Sequence, residues 1–286
     1  MTILLTAANG RTGRAVLRAL ANRGADVKAF LRDEAQWPAL NGLGATSFAV
    51  GDMEDTSTIN AAMASCETVI HIGPPMHPNE VEITSRFIDA ALAHGVSRFV
   101  YYSVMHPLRR AVRHHRLKLD AEETLIESGL PYTIVQPMRY MQHLGLIWNK
   151  VLETGVHNMP FNIDVKFNVA DLRDLAEATA IVATERGHLY ITYELAGPEA
   201  LSQRDMAAVI SRVLGREIRA EALSLEQMEK NARAAGAGDD RVTQMLTMNS
   251  HYDQFGFRGN PNVLRWLLGR NPNTFENYVK RISRCD

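Results

Sequence analysis

The sequence predicts a doubly wound α/β fold, in which a parallel sheet is covered by helices on both faces. Two observations lead to this class. Short apolar runs alternate with amphipathic helical patterns, and glycines separate the first run from the first helix. The carboxyl ends of parallel strands share one edge of the sheet, where proteins of this class bind ligands. Candidate functional residues are therefore expected at the strand ends.

The first half of the chain shows the most regular alternation. Strands are predicted at residues 2–7, 26–32, 46–52, 68–73, 97–104 and 132–137. Helices are predicted between them at residues 14–24, 56–66, 80–95 and 115–129. Glycines end three of these helices, and Thr56 or Ser57 is suited to cap the second one.

The alternation becomes less regular after residue 140. This part is predicted to hold a strand and a helix within residues 165–184, a strand at 189–197, and helices at 201–215, 223–236 and 262–269. Ser202 is suited to cap the helix at 201–215, and residues 234–240 are expected to be a flexible connection. We expect one continuous structural unit, with a nucleotide-binding domain at residues 1–140 and a smaller mixed α/β substrate region at residues 141–286, packed on the sheet.

Composition and charge argue against several classes of partner. The formal net charge is -1 and no long basic run occurs, which argues against nucleic-acid binding. Cys66 and Cys285 are far apart in the sequence and indicate neither a disulfide framework nor a metal site. The first residues lack a signal-peptide pattern, and no apolar run approaches the roughly 18 residues of a membrane span. We expect a cytoplasmic protein that binds a small molecule, as a monomer or a homodimer, without nucleic acid, membrane or metal.

The stretch AANGRTG, residues 7–13, has the features of a phosphate-binding turn. Gly10 permits close approach of the backbone to a pyrophosphate, and Gly13 permits contact between helix and strand. Ala7 stands where the first glycine of such a turn usually falls, and it adds only a methyl group. The turn joins a predicted strand to the N-terminus of a predicted helix, so an ordinary connection is the alternative. We expect a dinucleotide to be bound by Ala8, Asn9, Gly10, Arg11, Thr12 and Gly13.

The end of the second predicted strand distinguishes NADP from NAD. The sequence there is FLRDE, in which Arg32 comes first and Asp33 follows. An arginine at this place accommodates a 2′-phosphate, whereas an acid would bind the ribose hydroxyls. Arg11 in the turn could reach the same phosphate. We therefore predict NADP(H) as the cofactor, with two solvated surface arginines as the alternative interpretation.

The later strand ends complete the predicted cofactor site. Asp52 is placed to meet the adenine amino group and Met53 to contact the ring, although a helix-capping aspartate is the alternative for Asp52. Gly73 and Pro74 would let the chain pass close to the ribose and nicotinamide, or they form an irregular strand end. Pro137, at the end of the sixth strand, is assigned to the same site.

Motifs along nearly the whole chain resemble one known family. TAANGRTGR, FLRD, VGDMED, HIGPP, RFVYYSV and LPYTIVQPMRYMQ occur in the order seen in the NmrA-like family of atypical short-chain dehydrogenase/reductases, and LLGRNPNTFENYV resembles its C-terminal part. The resemblance implies a Rossmann fold that usually binds NADP(H). It also implies either a reductase of quinones, dyes or other conjugated molecules, or an NADP sensor without turnover. Ala7 and Asn9 depart from the family pattern, which has glycine and threonine there.

The helix that starts near HHRLK is the predicted catalytic element. Typical short-chain dehydrogenases use a serine and a tyrosine four residues before a lysine. Here Ser103 matches the serine and Lys118 the lysine that orients the ribose, but His114 occupies the tyrosine position. A neutral imidazole can polarise a carbonyl, or His114 is simply a polar residue at a helix start. Tyr140 and Tyr102 are alternative donors, and Tyr102 should point away from Ser103 on an alternating strand.

Methionines after the sixth strand predict an apolar substrate wall. Met138, Tyr140 and Met141 are the predicted substrate-binding residues, with ordinary core packing as the alternative. The basic loop 104–116 either favours an anionic substrate or forms a solvated face. Its histidines lack the carboxylates and spacing of a metal site.

Together these features predict an NADP(H)-dependent oxidoreductase that reduces a small aromatic or conjugated carbonyl or quinone-type substrate. An NADP(H)-sensing regulatory protein without turnover is one alternative. A redox-neutral biosynthetic enzyme on the same fold is another.

Overall fold

A computed structural model describes residues 1–284 of the chain. The strands are β1 Thr2–Leu5, β2 Asp26–Leu31, β3 Ser47–Val50, β4 Thr68–Ile72, β5 Arg98–Tyr102, β6 Tyr132–Pro137, β7 Val156–Met159, β8 Phe167–Val169, β9 Ile191–Leu195, β10 Glu199–Leu201 and β11 Arg219–Ala222. The α-helices are α1 Arg11–Ala21, α2 Trp37–Asn41, α3 Thr56–Met63, α4 Glu80–Ala93, α5 Arg113–Glu127, α6 Trp148–Thr154, α7 Leu172–Thr184, α8 Gln203–Leu214, α9 Leu225–Ala234, α10 Asp239–Phe255, α11 Asn262–Leu268 and α12 Phe275–Ile282. Short 3₁₀ helices lie at Glu34–Gln36 and Met141–Leu146.

The central sheet has the strand order β3-β2-β1-β4-β5-β6-β9. The pairs from β3 to β6 are parallel, and Ile3 of β1 pairs with Val27 on one side and Thr68 on the other. The order 3-2-1-4-5-6 is that of a doubly wound sheet, whose strand order reverses next to β1. The predicted fold class is therefore confirmed, and the reversal places the first turn of the chain at the ligand-binding edge.

One compact unit comprises residues 1–108, 115–136 and 175–193. Strand β4 is buried along its whole length, as a strand covered on both faces should be. The core of this unit includes the fully buried rings of Phe87 and Phe99, together with Ile134. Complete burial of such a side chain contributes about 1.5–3 kcal/mol, so these contacts hold the helices against the sheet.

The other compact unit comprises residues 109–114, 137–174 and the chain from residue 194 onward. It contains two small sheets, an antiparallel pair β8–β10 and a parallel pair β7–β11. Its core gathers apolar side chains that include Trp148, Ile210 and Phe275. Ser202 caps α8 as predicted, and Asp205 completes a capping box with it.

Several local predictions were wrong. The carboxylate of Asp55 accepts a hydrogen bond from the Ser57 backbone N–H at 2.8 Å, so Asp55 caps α3 instead of Thr56 or Ser57. Helix α3 ends at Met63, three residues earlier than predicted, because Ala64 leaves the helical conformation.

The segment expected to be a flexible connection at residues 234–240 joins α9 to α10. Its residues 235–238 are not helical, and it also contains the last residue of α9 and the first two residues of α10. Further elements that the sequence patterns did not predict are α2, α6, α10, α12, β7, β10 and β11. Most of them are short: α12 buries Phe275, Tyr278 and Val279 on one face, but its eight residues are fewer than the window over which such a pattern is recognised.

Cys66 is buried, and burial raises the pKa of its thiol. Cys285 lies outside the described residues. Within residues 1–284, no helix combines the length and the apolar character needed to cross a membrane.

Candidate functional site

A cleft of about 310 Å³ lies at the carboxyl ends of the parallel strands. Its walls come from the segments that follow β1, β2, β3 and β4, because these strands end at the same edge of the sheet. The lining residues are Ala7, Ala8, Asn9, Gly10, Phe30, Leu31, Arg32, Gln36, Met53, Gly73, Pro74 and Pro75. Seven of the residues predicted to bind cofactor thus line one cleft, although the predictions came from four separate stretches of sequence.

The turn after β1 is tight. The backbone N–H of Gly10 donates to the carbonyl oxygen of Ala7 at 2.8 Å. Ala7 has a φ of 47°, in the left-handed region that favours glycine, which explains why such turns usually start with glycine. A Cβ on Gly13 would lie 2.2 Å from the Ala7 carbonyl oxygen, so the contact between α1 and the turn requires glycine there.

The N-terminus of α1 has the electrostatic character of an anion site. Gly10 is its N-cap and provides no side-chain hydrogen bond, and no acidic residue lies in the first turn, which contains Arg11, Thr12 and Gly13. The N–H groups of that turn and the positive end of the helix dipole therefore face outward from the turn without a carboxylate to neutralise them. This arrangement suits a phosphate group.

The side chain of Asn9 is fixed by a residue that the sequence patterns missed. Its Oδ1 accepts hydrogen bonds from Arg14, at 3.0 Å from Nε and 2.8 Å from Nη2. The two residues are five positions apart, and only the tight turn brings them together. The bidentate contact holds one wall of the cleft and places a positive charge next to it.

Arg32 and Asp33, which follow β2, have different roles in the structure. Arg32 is exposed and lines the cleft. Asp33 accepts a hydrogen bond from the Ala35 backbone N–H at 2.8 Å and so caps the short 3₁₀ helix at Glu34–Gln36. The cation therefore borders the cleft, while the neighbouring carboxylate is used in a local turn.

The adjacent residues Asp52 and Met53 also differ in whether they line the cleft. Met53 is buried and lines the cleft, whereas the exposed Asp52 accepts a hydrogen bond from the Glu54 backbone N–H at 2.9 Å and is not among the lining residues. Pro137 is buried at the end of β6, and Lys118 also lies outside the cleft lining.

Lys118 is held in a buried ion pair. Its Nζ lies 2.7 Å from Oε1 of Glu80 and 3.2 Å from the carbonyl oxygen of Tyr102. The Tyr101 hydroxyl donates to the same Oε1 at 2.8 Å. Burial opposes ionisation of Glu80, but the charge and hydrogen bond of Lys118 outweigh it and keep the pKa of this carboxyl below its usual value.

Ser103 is held by a second buried acid. Its hydroxyl donates to Oε1 of Glu122, and Nε2 of Gln136 donates to both carboxylate oxygens at 2.9 Å. Burial raises the pKa of Glu122. Sequence reasoning missed Glu80 and Glu122, although Glu122 stands four residues after Lys118 on α5, on the same helix face.

The histidines near the start of α5 differ in environment. His114 is partly buried and belongs to the unit that contains residues 109–114, whereas Ser103 and Lys118 belong to the other unit. His115 is fully buried, and its Nδ1 lies 2.8 Å from the carbonyl oxygen of His106. Tyr102, one of the alternative donors, is buried on β5.

A second, much smaller cavity lies within the unit that contains residues 137–174. Tyr140 and Met141, two of the predicted substrate-binding residues, line it, whereas Met138 is buried elsewhere. The Tyr140 ring stacks on His143 with 5.6 Å between ring centroids. Within the part of the chain that the structure describes, no three histidine, cysteine or acidic side chains gather in a way that could hold a metal ion.

The strand order and the cleft at the strand ends define a Rossmann-like α/β protein. Residues 1–279 match the sequence model of the NmrA-like family, and the chain belongs to that family. The predicted family membership is thereby confirmed.

Curated relatives match over almost the entire chain. The NAD(P)H azoreductase of Xenophilus azovorans is 29% identical over 279 residues, which cover 97% of this chain and 96% of that protein. Quinone oxidoreductase 2 of Escherichia coli (strain K12) is 26% identical and is covered to 98%, as is this chain. Among solved structures, the NADPH-dependent quinone oxidoreductase of Escherichia coli in complex with NADPH superimposes with a TM-score of 0.86 at 24% identity, over 98% of this chain and 99% of that one. This last similarity concerns the fold.

Proposed function

We propose that the protein is an NADP(H)-dependent reductase of small aromatic or conjugated molecules, of the carbonyl or quinone type. The observation that carries the proposal is the cleft at the strand ends, bordered by Arg32 while Asp33 is used as a cap. A cation there favours a 2′-phosphate, whereas a carboxylate would favour free ribose hydroxyls. The curated relatives support the reaction class, because one is named an NAD(P)H azoreductase and another a quinone oxidoreductase.

The residues of the cleft fit such a cofactor. The turn at Ala8–Gly10 and the N-terminus of α1, which has no side-chain cap, suit a pyrophosphate. The backbone can approach the phosphates closely, and no carboxylate in the first turn of the helix repels them. Met53 provides an apolar wall suited to adenine, and Gly73 with Pro74 borders the cleft after β4. When bound, NADPH would supply a hydride to the substrate.

The proposed catalytic residues are Ser103, His114 and Lys118. The side chain of Lys118 is fixed by its ion pair with Glu80, so its proposed role is to set the local field and to orient the ribose. Ser103, whose hydroxyl is bonded to Glu122, and His114 would polarise the substrate oxygen. Reduction of a quinone or an extended conjugated system can take its proton from water, so the proposal does not depend on a tyrosine at position 114.

The cofactor assignment is tested by the affinity of Arg32→Ala for NADPH and for NADH, measured by fluorescence titration. Loss of a charge-assisted phosphate contact should weaken NADPH at least about tenfold and leave NADH nearly unchanged. Arg18→Ala, which removes an exposed arginine near the far end of α1, is the matched control and should change neither affinity. Equal weakening of both cofactors by Arg32→Ala contradicts the assignment.

The reaction class is tested by NADPH oxidation against a panel of quinones, azo dyes and enones. Turnover of at least one class, reduced in Lys118→Ala and His114→Ala, supports the reductase proposal. Tight NADPH binding without oxidation against the whole panel would contradict it.

A further inference from the structure

The small cavity in the unit that contains residues 137–174 is lined by buried polar groups that lack a partner within residues 1–284. Its volume is about 30 Å³, and the apolar part of its walls includes the methionine and phenylalanine side chains of Met159, Phe161 and Phe275. A space of roughly 10–15 Å³ holds one water molecule, so this volume suits a polar group of a few atoms. Methionine side chains are flexible, and their movement can admit an attached ring.

Arg139 brings a positive charge to this cavity. Its guanidinium lies over the ring of Phe161, 5.3 Å from the centroid, and its Nη2 is 3.8 Å from the sulfur of Met159. Burial lowers the pKa of Arg139 to about 10, which leaves it charged at neutral pH. Among residues 1–284, no carboxylate forms an ion pair with it. Arg139 is partly buried, and a partly buried cation without a counter-ion is favourable to an anionic ligand group, which would compensate its charge.

Two buried acceptors accompany this charge. His157 and Gln203 are 2% and 1% exposed, and neither Nδ1 of His157 nor Oε1 of Gln203 has a hydrogen-bond partner within the described residues. Burial and the charge of Arg139 lower the pKa of His157 to about 4, so its imidazole is neutral at pH 7. The amide nitrogen of Gln203 donates to the carbonyl oxygen of Phe161 at 2.6 Å, which leaves Oε1 to accept.

Arg139 and Gln203 are brought together by their shared neighbours. Both contact Met159 and Phe161, the arginine through the sulfur and the ring, the glutamine through the two carbonyl oxygens. The cavity therefore offers one fixed cation and two acceptors within an apolar enclosure. A carboxylate alone would satisfy only the cation, so a complementary ligand also needs a hydrogen-bond donor.

We propose that this cavity binds the polar edge of a hydroxylated aromatic carboxylate. The guanidinium of Arg139 donates to the carboxylate, and the hydroxyl of the ligand donates to His157 or Gln203. The ring packs against the methionine and phenylalanine walls. Tyr140 and Met141 line the same cavity. That the ligand is also a substrate rests on the proposed reductase function. Binding of the ligand to the cavity does not depend on that function.

The proposal is tested by calorimetric titration of the full chain, with and without saturating NADPH. The probes are 3-hydroxybenzoate, which carries both groups on one edge of the ring, benzoate, which lacks the donor, and 3-hydroxybenzyl alcohol, which lacks the charge. We expect 3-hydroxybenzoate to bind most tightly and the alcohol at least about tenfold more weakly. Equal affinity for the acid and the alcohol, or no binding of any probe, overturns the proposal.

Variants identify the groups involved. Arg139→Gln should weaken the binding of 3-hydroxybenzoate at least about tenfold, and Arg139→Lys should weaken it less because it keeps the charge. His157→Phe should lower the affinity for 3-hydroxybenzoate toward that for benzoate. Arg258→Gln, which removes an exposed arginine of the same unit, is the control and should leave binding unchanged. Unchanged binding in Arg139→Gln overturns the proposal.

The same samples separate this inference from the proposed function. NADPH affinity, quinone reduction and the thermal unfolding midpoint are measured for each variant. If NADPH oxidation persists while no probe binds through Arg139, only the cavity proposal fails. If Arg139-dependent binding occurs in a protein that oxidises no NADPH, the reductase proposal fails instead.

Discussion

Removal of either partner of the buried Lys118–Glu80 pair should destabilise the protein strongly. At the 2.7 Å between Nζ and Oε1, the attraction is about 6 kcal/mol with an effective dielectric constant near 20, and desolvation of both groups offsets part of it. Glu80→Gln keeps the shape but leaves a buried ammonium with the Tyr102 carbonyl and the Tyr101 ring as neighbours and no carboxylate. Lys118→Met leaves a buried carboxylate that keeps the Tyr101 hydroxyl but loses its cation. Each single change should cost about 3–5 kcal/mol.

The assay is urea unfolding at pH 7, followed by circular dichroism, on both single variants and the double variant. Because the double variant removes both members of the pair and leaves neither unpaired, it should be less destabilised than the sum of the singles by at least about 2 kcal/mol. The exposed pair Arg116–Asp120, with 2.9 Å between Nε and Oδ1 on the same helix, is the matched control. Asp120→Asn should cost less than about 0.5 kcal/mol. If Glu80→Gln costs no more than Asp120→Asn, or if the single effects add, this reasoning is refuted.

Three further predictions use the same unfolding assay. Gly13→Ala should cost at least about 2 kcal/mol, because the added Cβ would lie 2.2 Å from the Ala7 carbonyl oxygen; Gly42→Ala, with its nearest contact at 3.7 Å, should be close to neutral. Ser202→Ala should cost about 1 kcal/mol through loss of the α8 capping box, and a value near zero would contradict the cap. The folded state lowers the pKa of Glu80 below 4.5, so its ionisation stabilises the protein at neutral pH and this contribution disappears as the pH falls through that lowered value. The stability difference between wild type and Glu80→Gln should therefore stay level from pH 7 to about pH 5 and shrink as the pH falls below the ordinary value of 4.5, and a difference that stays constant down to about pH 3 would contradict the lowered pKa.

The sheet and the cleft were predictable because their signals are local. Each strand of the first half is a short apolar run next to a turn, and parallel strands necessarily end at one edge. Knowledge of the strand ends was therefore enough to group Gly10, Arg32, Met53 and Gly73 before their positions were known. The side-chain direction was less predictable, as Asp52 shows by turning to the Glu54 backbone instead of the cleft.

The environment of the proposed catalytic residues depends on contacts between distant elements. Glu80 precedes Lys118 by 38 residues and reaches it only because α4 and α5 pack on the same sheet region. No periodicity in either helix indicates such a pair. Helix α10 was not predicted either, because its sequence DDRVTQMLTMNSHYDQF has few apolar residues and no clear apolar face.

Positions 7 and 13, the two ends of the AANGRTG turn, differ in the substitutions that the structure tolerates. At position 7 the backbone already holds an alanine at a φ of 47°, so exchange between alanine and glycine alters strain but not the path of the chain. At position 13 the surrounding atoms exclude any side chain, and a substitution there must be accompanied by movement of the helix. A motif search that requires the first glycine would therefore discard chains with an intact turn. A search weighted toward the third glycine, which is fixed by steric contact, would retain them.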